Sequence, residues 1–520
     1  MLHFRFIKQV ALTLSLSISG LCLAQAPSYK VEESYASFKS KNGYNIKDEA
    51  NFTEDESHIY IATNKPKGLS LTRISKDNPS ETVNTQVEFS KSFMLFHSGL
   101  HEGTFYIVYY EIEIGKGRKP IELMYREYDF DKKDWLTEPI VYVKPQYLLN
   151  YGAILQMSLD YGYPFVRETS ANKKHTIYTY GPLDWSKEDK AKVSVALINE
   201  NKVEWHQTYM LPWSAREGKL FQTLITNDGN VYMIYGVNEE GKGHRDGYQL
   251  KTLRLKSDGS FGTINFSLPF NVFNPSIKLA EHPEHGKIIM IQGGASNSTQ
   301  SQLLYGKFLE DGNIEQLGNI DLRKTTKNAS SKSQAITGWN NFEMRFLRDM
   351  RLRDFEILDD GQILLDLRSF SVTLGNSAMN QLLSGVGLLK FDVATGEISW
   401  ANCIPINQTV SKIHLTKYNH LQINNSSHII VAVSNKLAEN EEGGLLKSKT
   451  IYKPTSTTLM CYSIGHETGE TESHILCDRN GLEVSGAFLT QRSLYHKGQI
   501  MINVRSGKGE RSILTVPIKL

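Results

Sequence analysis

The chain has 520 residues, of which 40% are hydrophobic and 10% aromatic, so it can bury a sizeable core and is not a largely disordered protein. Its formal net charge is +2, and this falls to about zero when the N-terminal segment, with two basic residues, is removed. A neutral chain is not a general nucleic-acid binder, so we exclude that class. At this length we expect either several domains or one repeat architecture.

The N-terminus has the three regions of a secretory signal peptide. Arg5 and Lys8 precede an apolar run over residues 10–23, and small residues follow. We predict cleavage after Ala24. Lipidation of Cys22 is a weaker alternative, because the residues before it lack the usual leucine and small-residue arrangement. The apolar run is shorter than the roughly 20 residues that span a bilayer and nothing later approaches that length, so we predict a secreted or periplasmic protein without a transmembrane segment.

A polar turn followed by a short run of β-branched and aromatic residues recurs eight times along the chain. The mean spacing is about 63 residues, longer than in compact propeller families but sufficient for four strands with generous loops. The eight turns are Glu56-Ser57, Glu102-Gly103, Lys173-Lys174, Asp228-Gly229, His285-Gly286, Asp360-Gly361, Ser426-Ser427 and Lys497-Gly498.

A second tight turn follows later in several units, at Asp258-Gly259, Asp311-Gly312, Thr395-Gly396 and Thr468-Gly469. Glycine supplies the positive φ that such hairpins need. Each unit therefore reads as two tight hairpins joined by a longer loop, which is a propeller blade with both hairpins on one rim and the long loop on the other. We predict an all-β fold in which residues 25–520 form a single β-propeller. Eight blades fit the turns, and seven remain open because the unit at residues 154–209 is irregular.

Two segments carry side chains that could hold a metal. Asp129, Asp131 and Asp134 resemble part of a calcium loop, but the central glycine and the terminal glutamate of an EF-hand are missing, so a solvated turn is the better interpretation. Residues 281–285 place two histidines among carboxylates, and metal binding is conceivable there. They fall on a tight turn where polar residues are expected anyway, and we predict no metal or other cofactor.

Few segments have the pattern of a long amphipathic helix. The one candidate runs from Asn340 to Arg353, and its last residues, with Met350 and Leu352, also fit an inner strand.

One hairpin carries a motif with defined spacing. Asp392 is followed by Thr395, Gly396 and Trp400. This hairpin resembles the repeat of quinoprotein-type bacterial propellers, in which an Asp, a Thr-Gly and a Trp at these spacings join the outer strands and dock each blade on the next. The resemblance implies the fold. The vicinal cysteine pair that binds quinone in enzymes of that family is absent from the sequence, so quinone chemistry is not implied.

Three cysteines remain after signal cleavage. Cys461 and Cys477 lie symmetrically about the turn at residues 466–470, so in a regular hairpin they would face each other. A cross-strand disulfide and two buried thiols are both compatible with this placement. We expect Cys403 to be a buried free thiol.

The last unit offers only three strands, at residues 484–491, 499–504 and 512–518. An open sheet edge invites aggregation. The N-terminal stretch Tyr29 to Phe38, with spaced apolar and aromatic residues, is the natural candidate for the missing strand that closes the last blade.

Three of the long loops share a Gly-Lys-Gly sequence, at positions 115–117, 241–243 and 507–509. Their spacing is near multiples of the blade period, so we expect all three on the same rim. Flexible cations there could bind an anionic partner, because Arg and Lys form charge-assisted hydrogen bonds with carboxylate or phosphate. A soluble loop composition inherited by duplication is the alternative. The candidate ligand-binding residues are Lys116, Arg118, Lys242, His244, Arg245, Lys508 and Arg511.

From these features we predict an exported propeller that binds an extracellular or envelope ligand, such as an anionic glycan or a protein, through its long-loop face and without chemistry of its own. A hydrolase or lyase of extracellular polysaccharide, with its site at the central mouth, is the alternative. Clustered carboxylates, His or Tyr with shifted pKa values at that mouth would favour the enzyme. A structural cell-envelope protein is a third interpretation, which a large exposed apolar patch would favour.

Overall fold

The computed structural model describes the protein from residue 52 to residue 517, with gaps. The described residues are 52–65, 68–78, 81–89, 93–111, 122–144, 165–180, 190–214, 217–238, 248–265, 272, 275–293, 302–322, 350–374, 379–410, 418–434, 449–451, 457–477, 486–506 and 511–517. The predicted signal peptide and closing strand at residues 29–38 lie outside them. In the described part every element is a β-strand, so the prediction of an all-β fold is confirmed. None of these residues forms a helix with the length and apolarity to span a bilayer.

The strands form eight sheets, which we number in chain order. Sheet 1 contains β1 (Phe52–Glu54), β2 (His58–Lys65), β3 (Gly68–Ser75) and β4 (Thr82–Glu88). Sheet 2 contains β5 (Phe93–His101), β6 (Thr104–Glu111), β7 (Leu123–Asp129), β8 (Asp134–Trp135) and β9 (Ile140–Val143). Sheet 3 contains β10 (Phe165–Thr169), β11 (His175–Tyr180), β12 (Lys190–Asn199) and β13 (Lys202–Ser214). Sheet 4 contains β14 (Gly218–Ile225), β15 (Val231–Val237), β16 (Gln249–Leu255) and β17 (Phe261–Asn265).

The second half of the chain repeats this arrangement. Sheet 5 contains β18 (Ser276–His282), β19 (Gly286–Gly293), β20 (Gln302–Phe308) and β21 (Ile314–Asp321). Sheet 6 contains β22 (Met350–Ile357), β23 (Ile363–Leu374), β24 (Met379–Phe391) and β25 (Ile398–Val410), and sheet 7 contains β26 (Tyr418–Ile423), β27 (Ser426–Ser434), β29 (Thr457–Gly465) and β30 (Thr471–Cys477). Sheet 8 contains β31 (Gly486–His496), β32 (Gln499–Ser506) and β33 (Arg511–Pro517). A short strand from the long loop of sheet 7, β28 (Lys449–Ile451), pairs in parallel with β25 and extends sheet 6.

Each strand type follows from where it lies in its sheet. The second strand is flanked by sheets on both faces, and β15 accordingly reads VYMIYGV with every residue buried. The first strand alternates, as in β22, where Met350, Leu352 and Phe355 are buried and charged residues lie between them. This pattern is typical of a strand with one face on the core and one toward polar surroundings. The segment at residues 350–357 is therefore an inner strand, as the sequence allowed.

The sheets pack face to face in a closed ring. Buried apolar clusters join each sheet to the next, from sheets 1 and 2 through to sheets 7 and 8. A further cluster joins Leu494 and Met501 of sheet 8 to Ile59, Ile61 and Ile74 of sheet 1. The prediction of a β-propeller is therefore confirmed.

Seven of the sheets are complete blades of four or five strands. Sheet 8 has the three strands that the sequence predicted, and it lies between sheet 7 and sheet 1. Of the two counts that the sequence left open, seven holds for complete blades, and the eighth unit is present as this three-stranded sheet. The described part of the unit near residues 154–209 forms a four-stranded sheet, sheet 3, with two register shifts between β12 and β13.

The predicted tight turns lie where the strands reverse. Gly259, Gly312, Gly396 and Gly469 all have positive φ, as do the glycines of most of the first hairpins. In sheet 7 the first turn lies two residues before the predicted Ser426-Ser427. It is formed by Asn424 and Asn425, both with positive φ, and Ser426 already begins β27. Asparagine tolerates this left-handed conformation better than serine does, which explains the shift.

The outer hairpin of one blade receives a side chain from the blade before it. The Tyr209 hydroxyl donates to the Lys256 carbonyl oxygen at 2.6 Å, and the Tyr232 hydroxyl donates to the Glu310 carbonyl oxygen at 2.7 Å. Trp400 Nε1 donates to the His466 carbonyl oxygen at 2.9 Å. These bonds satisfy polar groups between apolar faces and thus fix the position of each blade on the next.

The hairpin that resembles the quinoprotein-type repeat makes contacts of this kind. Asp392 Oδ1 accepts from the backbone N–H groups of Thr395 and Ala394, which closes the turn, and Trp400 reaches the next blade. The Asp-Thr-Gly-Trp motif itself matches in this one hairpin and identifies no family.

First strands of neighbouring sheets contact one another at β1 and β5, β10 and β14, β14 and β18, β18 and β22, and β26 and β31. In a propeller the first strands line the centre of the ring, and we call the space that they enclose the channel. Each first strand runs from the rim that carries the long loops toward the rim that carries the hairpins. Polar side chains on these strands are therefore the ones that a ligand in the channel would meet.

Candidate functional site

Four first strands shift in register against the second strand of their sheet. The shift lies between Leu95 and His97 in β5, between Leu220 and Gln222 in β14, and between Leu352 and Asp354 in β22, and a longer irregularity separates Leu489 from Leu494 in β31. A bulge inserts one residue and re-aims the side chains that follow it. In β22 the inserted residue is Arg353, and the bulge lets both Arg353 and Asp354 face away from the apolar cluster shared with sheet 5.

The first strands of sheets 3 to 7 bring seven polar side chains to the channel, which we call the channel cluster. Its members are Glu168, Gln222, Lys278, Asp354, Glu356, His420 and Gln422. Five consecutive blades contribute to it.

Glu168 is the best-defined member of the channel cluster. Gln222 Nε2 of the next blade donates to Glu168 Oε1 at 2.6 Å. Burial raises the pKa of Glu168, while the charge of Lys278 and the bond from Gln222 oppose the increase and the charge of Asp354 adds to it. Lys278 and Asp354 belong to sheets two and three places further along the ring, so the charges that act on Glu168 come from the inner strands of other blades.

Glu356 lies on β22, the first strand of the sheet three places along the ring from Glu168. Burial raises the pKa of Glu356, and His420 lowers it while Asp354 and Asp366 raise it further. Two carboxyl groups with raised pKa values, Glu168 and Glu356, therefore share one channel with a lysine and a histidine. Groups of this kind can bind a polar ligand, and a protonated carboxyl can also donate a proton.

A buried ionic network supports the channel cluster from behind. Asp366 of β23 is almost inaccessible to solvent and accepts hydrogen bonds from the Tyr418 hydroxyl and from Arg353 at 3.1 Å. His420 Nδ1 lies 3.3 Å from the same carboxylate. Burial raises the pKa of Asp366, but His420, Arg353 and Tyr418 outweigh that effect, so its pKa lies below the ordinary value. The carboxylate is ionised and holds Arg353 and His420 in fixed positions.

A second polar group lies between sheets 2 and 3. His97 Nε2 is 2.5 Å from the Tyr178 hydroxyl, and the two rings stack at 5.7 Å. Burial lowers the pKa of His97 well below its usual value, and the nearby charge of Arg167 lowers it further. His97 is therefore neutral at physiological pH, and we assign it to the packing between these blades.

Comparisons with known proteins identify no family. No family model matches the chain, and no curated protein sequence matches it. Among solved structures of propeller-type proteins, it is similar to Sqt1 of Saccharomyces cerevisiae, at 9% identity over 94% of this chain and 100% of that chain, with a TM-score of 0.43. The computationally designed protein Ika8 is 8% identical over 94% of this chain and 98% of that chain, with a TM-score of 0.39.

A third similar structure is that of a peptidase. A puromycin-hydrolysing peptidase of Mycobacterium tuberculosis is 8% identical over 92% of this chain and 61% of the peptidase, with a TM-score of 0.35. The chain thus spans less than two thirds of the peptidase. At this identity and TM-score we draw no activity from any of these proteins.

The predicted anion-binding loops lie mostly outside the described residues. This holds for Lys116, Arg118, Lys242, His244, Arg245 and Lys508, and Arg511 is the first residue of β33. The flanking strands are the second and third of sheets 2, 4 and 8, so the three loops begin and end at the same rim. Anion binding by these residues stays a prediction.

The two candidate metal segments have structural roles instead. His282 Nδ1 accepts the backbone N–H groups of Glu284 and His285, and its Nε2 donates to the Gly361 carbonyl oxygen at 2.8 Å in the next blade. Asp129 Oδ1 accepts from two backbone N–H groups of its own turn, and Asp131 pairs with Arg73 at 2.7 Å. The described part of the chain contains no cluster of three or more His, Cys, Asp or Glu able to hold a metal ion.

The expected facing of the two hairpin cysteines is wrong. The ladder begins at Ile464 and Thr471, so Cys461 lies opposite His474 and Cys477 lies opposite Leu459. The turn is centred between residues 467 and 468, whereas direct facing required its centre at 469. Cys461 is a free buried thiol, and Cys403 is also buried.

Sequence reasoning missed the whole channel cluster. Its members are single polar residues on inner strands, spread from position 168 to position 422. The only local signal was charge within otherwise apolar alternation, as in the MRLRDFEI sequence of β22.

Proposed function

We propose that the protein is an exported binding protein whose ligand occupies the central channel. The observation that carries the proposal is the channel cluster, because ionisable and amide side chains from five consecutive blades converge there. Convergent polar groups in a concave site are typical of ligand binding. The sequence pattern of the first 24 residues supports export, and the fold supports a binding role in general.

The chemistry of the cluster favours a ligand with many polar groups, such as a glycan. Gln222 and Gln422 can each donate and accept hydrogen bonds, and Lys278 supplies three donors. The carboxyl groups of Glu168 and Glu356 can accept from hydroxyl groups. The three Gly-Lys-Gly loops begin and end at the long-loop rim of the same channel, where they would meet the distal part of a long ligand.

A glycan and polyanion binding screen on the mature protein tests this proposal. For any hit, we expect Lys278→Ala and Glu168→Ala to weaken binding about 10-fold or more, since each removes a group that contacts ligand. Lys202→Gln, which removes one exposed charge from an outer strand, is the matched control. Binding that is unchanged in both channel variants would place the ligand elsewhere.

The same screen separates the channel from the loops. A triple variant with Lys116, Lys242 and Lys508 changed to Ala should weaken binding of long polyanions more than binding of short oligosaccharides. Equal binding of all probes by the triple variant and the parent protein would remove the loops from the proposal.

An extracellular polysaccharide hydrolase or lyase is the second candidate, favoured by the raised pKa values of Glu168 and Glu356. A raised pKa keeps a carboxyl protonated to a higher pH, and a protonated carboxyl can act as a general acid on a glycosidic oxygen. The test is release of new chain ends from a panel of polysaccharides. An enzyme would lose this activity in Glu168→Gln or Glu356→Gln while still binding substrate, whereas a binding protein would release none in any form.

A further inference from the structure

Two glutamates of the channel cluster occupy equivalent places in their blades. Glu168 lies opposite Ile177, in the last pair but one of the β10–β11 ladder. Glu356 lies opposite Leu364, in the last pair but one of the β22–β23 ladder. Paired residues share one face of a sheet, and these two partners are buried in the clusters shared with sheet 4 and sheet 7. Each glutamate is therefore near the hairpin rim, on the face toward the next blade.

Each glutamate is bonded to a glutamine of that next blade. Gln222 Nε2 donates to Glu168 Oε1 at 2.6 Å, and Gln422 donates to the carboxyl group of Glu356. We call these two groups the carboxyl–amide pairs. Glu356 and Gln422 are exposed, and Glu168 and Gln222 are half-buried, so a ligand in the channel can reach both pairs.

The first carboxyl–amide pair keeps two acceptors for a ligand. Gln222 Nε2 also donates to the Thr223 carbonyl oxygen at 3.4 Å, so both of its N–H groups are used. Glu168 Oε2 and Gln222 Oε1 take no part in these bonds and remain as acceptors. Two acceptors side by side suit neighbouring hydroxyl groups, because each hydroxyl has one hydrogen to donate.

The second carboxyl–amide pair has more acceptors than its amide can serve. Gln422 Nε2 lies 3.2 Å from His420 Nε2 and 3.3 Å from Ser427 Oγ, besides its bond to Glu356. The ionised Asp366 faces His420 Nδ1 at 3.3 Å, so the proton of the neutral ring lies there and Nε2 is an acceptor. An amide nitrogen has two hydrogens and cannot donate to three acceptors at once. A hydroxyl group of a ligand would supply the missing hydrogen.

Charges of both signs surround the carboxyl–amide pairs. Each glutamate has a basic neighbour and a carboxylate neighbour. The basic neighbours are Lys278 and Arg167 for Glu168 and His420 for Glu356, and the carboxylates are Asp354 for both glutamates and Asp366 for Glu356. An anion in this place would meet the carboxylates, and a cation would meet the basic groups. A hydroxyl group carries no net charge and can donate to a carboxylate or an amide oxygen.

We propose that the part of the ligand inside the channel is a neutral oligosaccharide whose hydroxyl groups donate to the two carboxyl–amide pairs. This inference rests on the proposed function, because it assigns the class of ligand for the same channel. Hydrogen bonds from a hydroxyl group to an ionised carboxylate are about twice as strong as those between neutral groups. Acidic groups of a longer glycan would then lie outside the channel, at the long-loop rim.

Titration calorimetry with neutral and charged hexasaccharides tests the inference. The neutral probes are cellohexaose, laminarihexaose and mannohexaose. The charged probes are hexagalacturonate, which carries carboxylates, and the glucosamine hexamer, which carries ammonium groups. We expect at least one neutral hexamer to bind and both charged hexamers to bind about 10-fold or more weakly than it does. The fully methylated form of that neutral hexamer has no hydroxyl hydrogen to donate and should lose affinity.

Two variants remove the members of the exposed carboxyl–amide pair. We expect Glu356→Ala and Gln422→Leu each to weaken binding of the neutral hexamer about 10-fold or more. Glu204→Ala, which removes an exposed carboxylate from the outer strand β13, is the matched control and should bind like the parent protein. Glu356 and Gln422 are exposed, so their variants should fold, and circular dichroism checks this.

The outcomes separate this inference from the proposed function. Absence of binding by every neutral hexamer overturns the inference, and so does equal binding by the parent protein, Glu356→Ala and Gln422→Leu. Unchanged affinity for the methylated hexamer also overturns it. A charged hexamer that binds more tightly than the neutral ones, and does so through Lys278, overturns the inference while the proposed function stands.

Discussion

Gly469 offers a sharp test of how the blades dock. It lies in the outer hairpin of sheet 7 with φ of +71°, and an added Cβ would stand 2.7 Å from the ring of Trp400 in sheet 6. For Gly469→Ala, the left-handed backbone costs about 1–2 kcal/mol. The clash with a large ring at a packed interface adds about 1–3 kcal/mol. We therefore expect the free energy of unfolding to fall by about 2–5 kcal/mol.

Gly103→Ala is the matched control for that substitution. Gly103 also lies in a hairpin turn, with φ of +79°, and an added Cβ there meets nothing within 4 Å. It should cost only the backbone part, about 1–2 kcal/mol. Chemical denaturation of the two variants, followed by tryptophan fluorescence and far-ultraviolet circular dichroism, gives the difference. Equal losses in the two variants would refute the docking of Trp400 on Gly469, and so would a failure of Trp400→Leu to relieve the Gly469→Ala cost.

Three further predictions concern buried groups. Asp366→Asn should lower the free energy of unfolding by about 1.5–3 kcal/mol at pH 7, because it removes a buried carboxylate that accepts from Arg353 and Tyr418, while the partly exposed Arg353 stays partly solvated. Because folding lowers the pKa of Asp366, its stabilising effect is fully present above the unfolded pKa of about 3.9 and is lost as the pH falls through the lower folded pKa. Chemical denaturation of the parent protein and of Asp366→Asn at pH 7 and at low pH measures the stability difference in both conditions. A stability difference that does not depend on pH would contradict this prediction. Burial lowers the pKa of His97, so the unfolded chain binds the proton first and the free energy of unfolding should fall as the pH drops below about 6.5. In His97→Gln, the free energy of unfolding should change less between pH 7.5 and pH 5.5. An unchanged pH dependence would contradict a buried neutral imidazole. Burial raises the pKa of Cys461 to about 11, so iodoacetamide at pH 8 should label this thiol only after the protein is unfolded. Peptide mass spectrometry measures the labelling, which should need no prior reduction because the thiol is free. Labelling of the folded protein, or labelling that requires a reductant, would contradict a free buried thiol.

The fold was readable from the sequence because its turns are local. An Asp-Gly pair such as Asp258-Gly259 specifies a hairpin from two residues, and such turns recur at a regular spacing. The three strands of the last unit were predicted for the same reason. The predicted facing of Cys461 and Cys477 was wrong because the sequence alone does not show a shift of three residues in the pairing of the two strands. Only the bonds within the turn, with Gly465 N–H on the Glu470 carbonyl oxygen, fix where the ladder starts.

The channel cluster was not readable because it depends on long-range geometry. Glu168 and Asp354 come from different blades, and nothing local indicates that they share a channel. The bulge at Arg353 adds a second difficulty, since simple alternation along β22 would place Asp354 and Glu356 on the apolar side with Leu352. Charged residues on inner strands were the one usable signal. Their significance appears only when the ring is closed.

Hydrogen–deuterium exchange with and without the tightest-binding ligand from the glycan and polyanion screen tests the central claim most directly. The account predicts slower exchange in peptides that cover β22 and β26, whose side chains belong to the channel cluster. It predicts no change in the outer strands β21 and β30. Protection confined to outer strands, with β22 and β26 unaffected, would contradict binding in the channel.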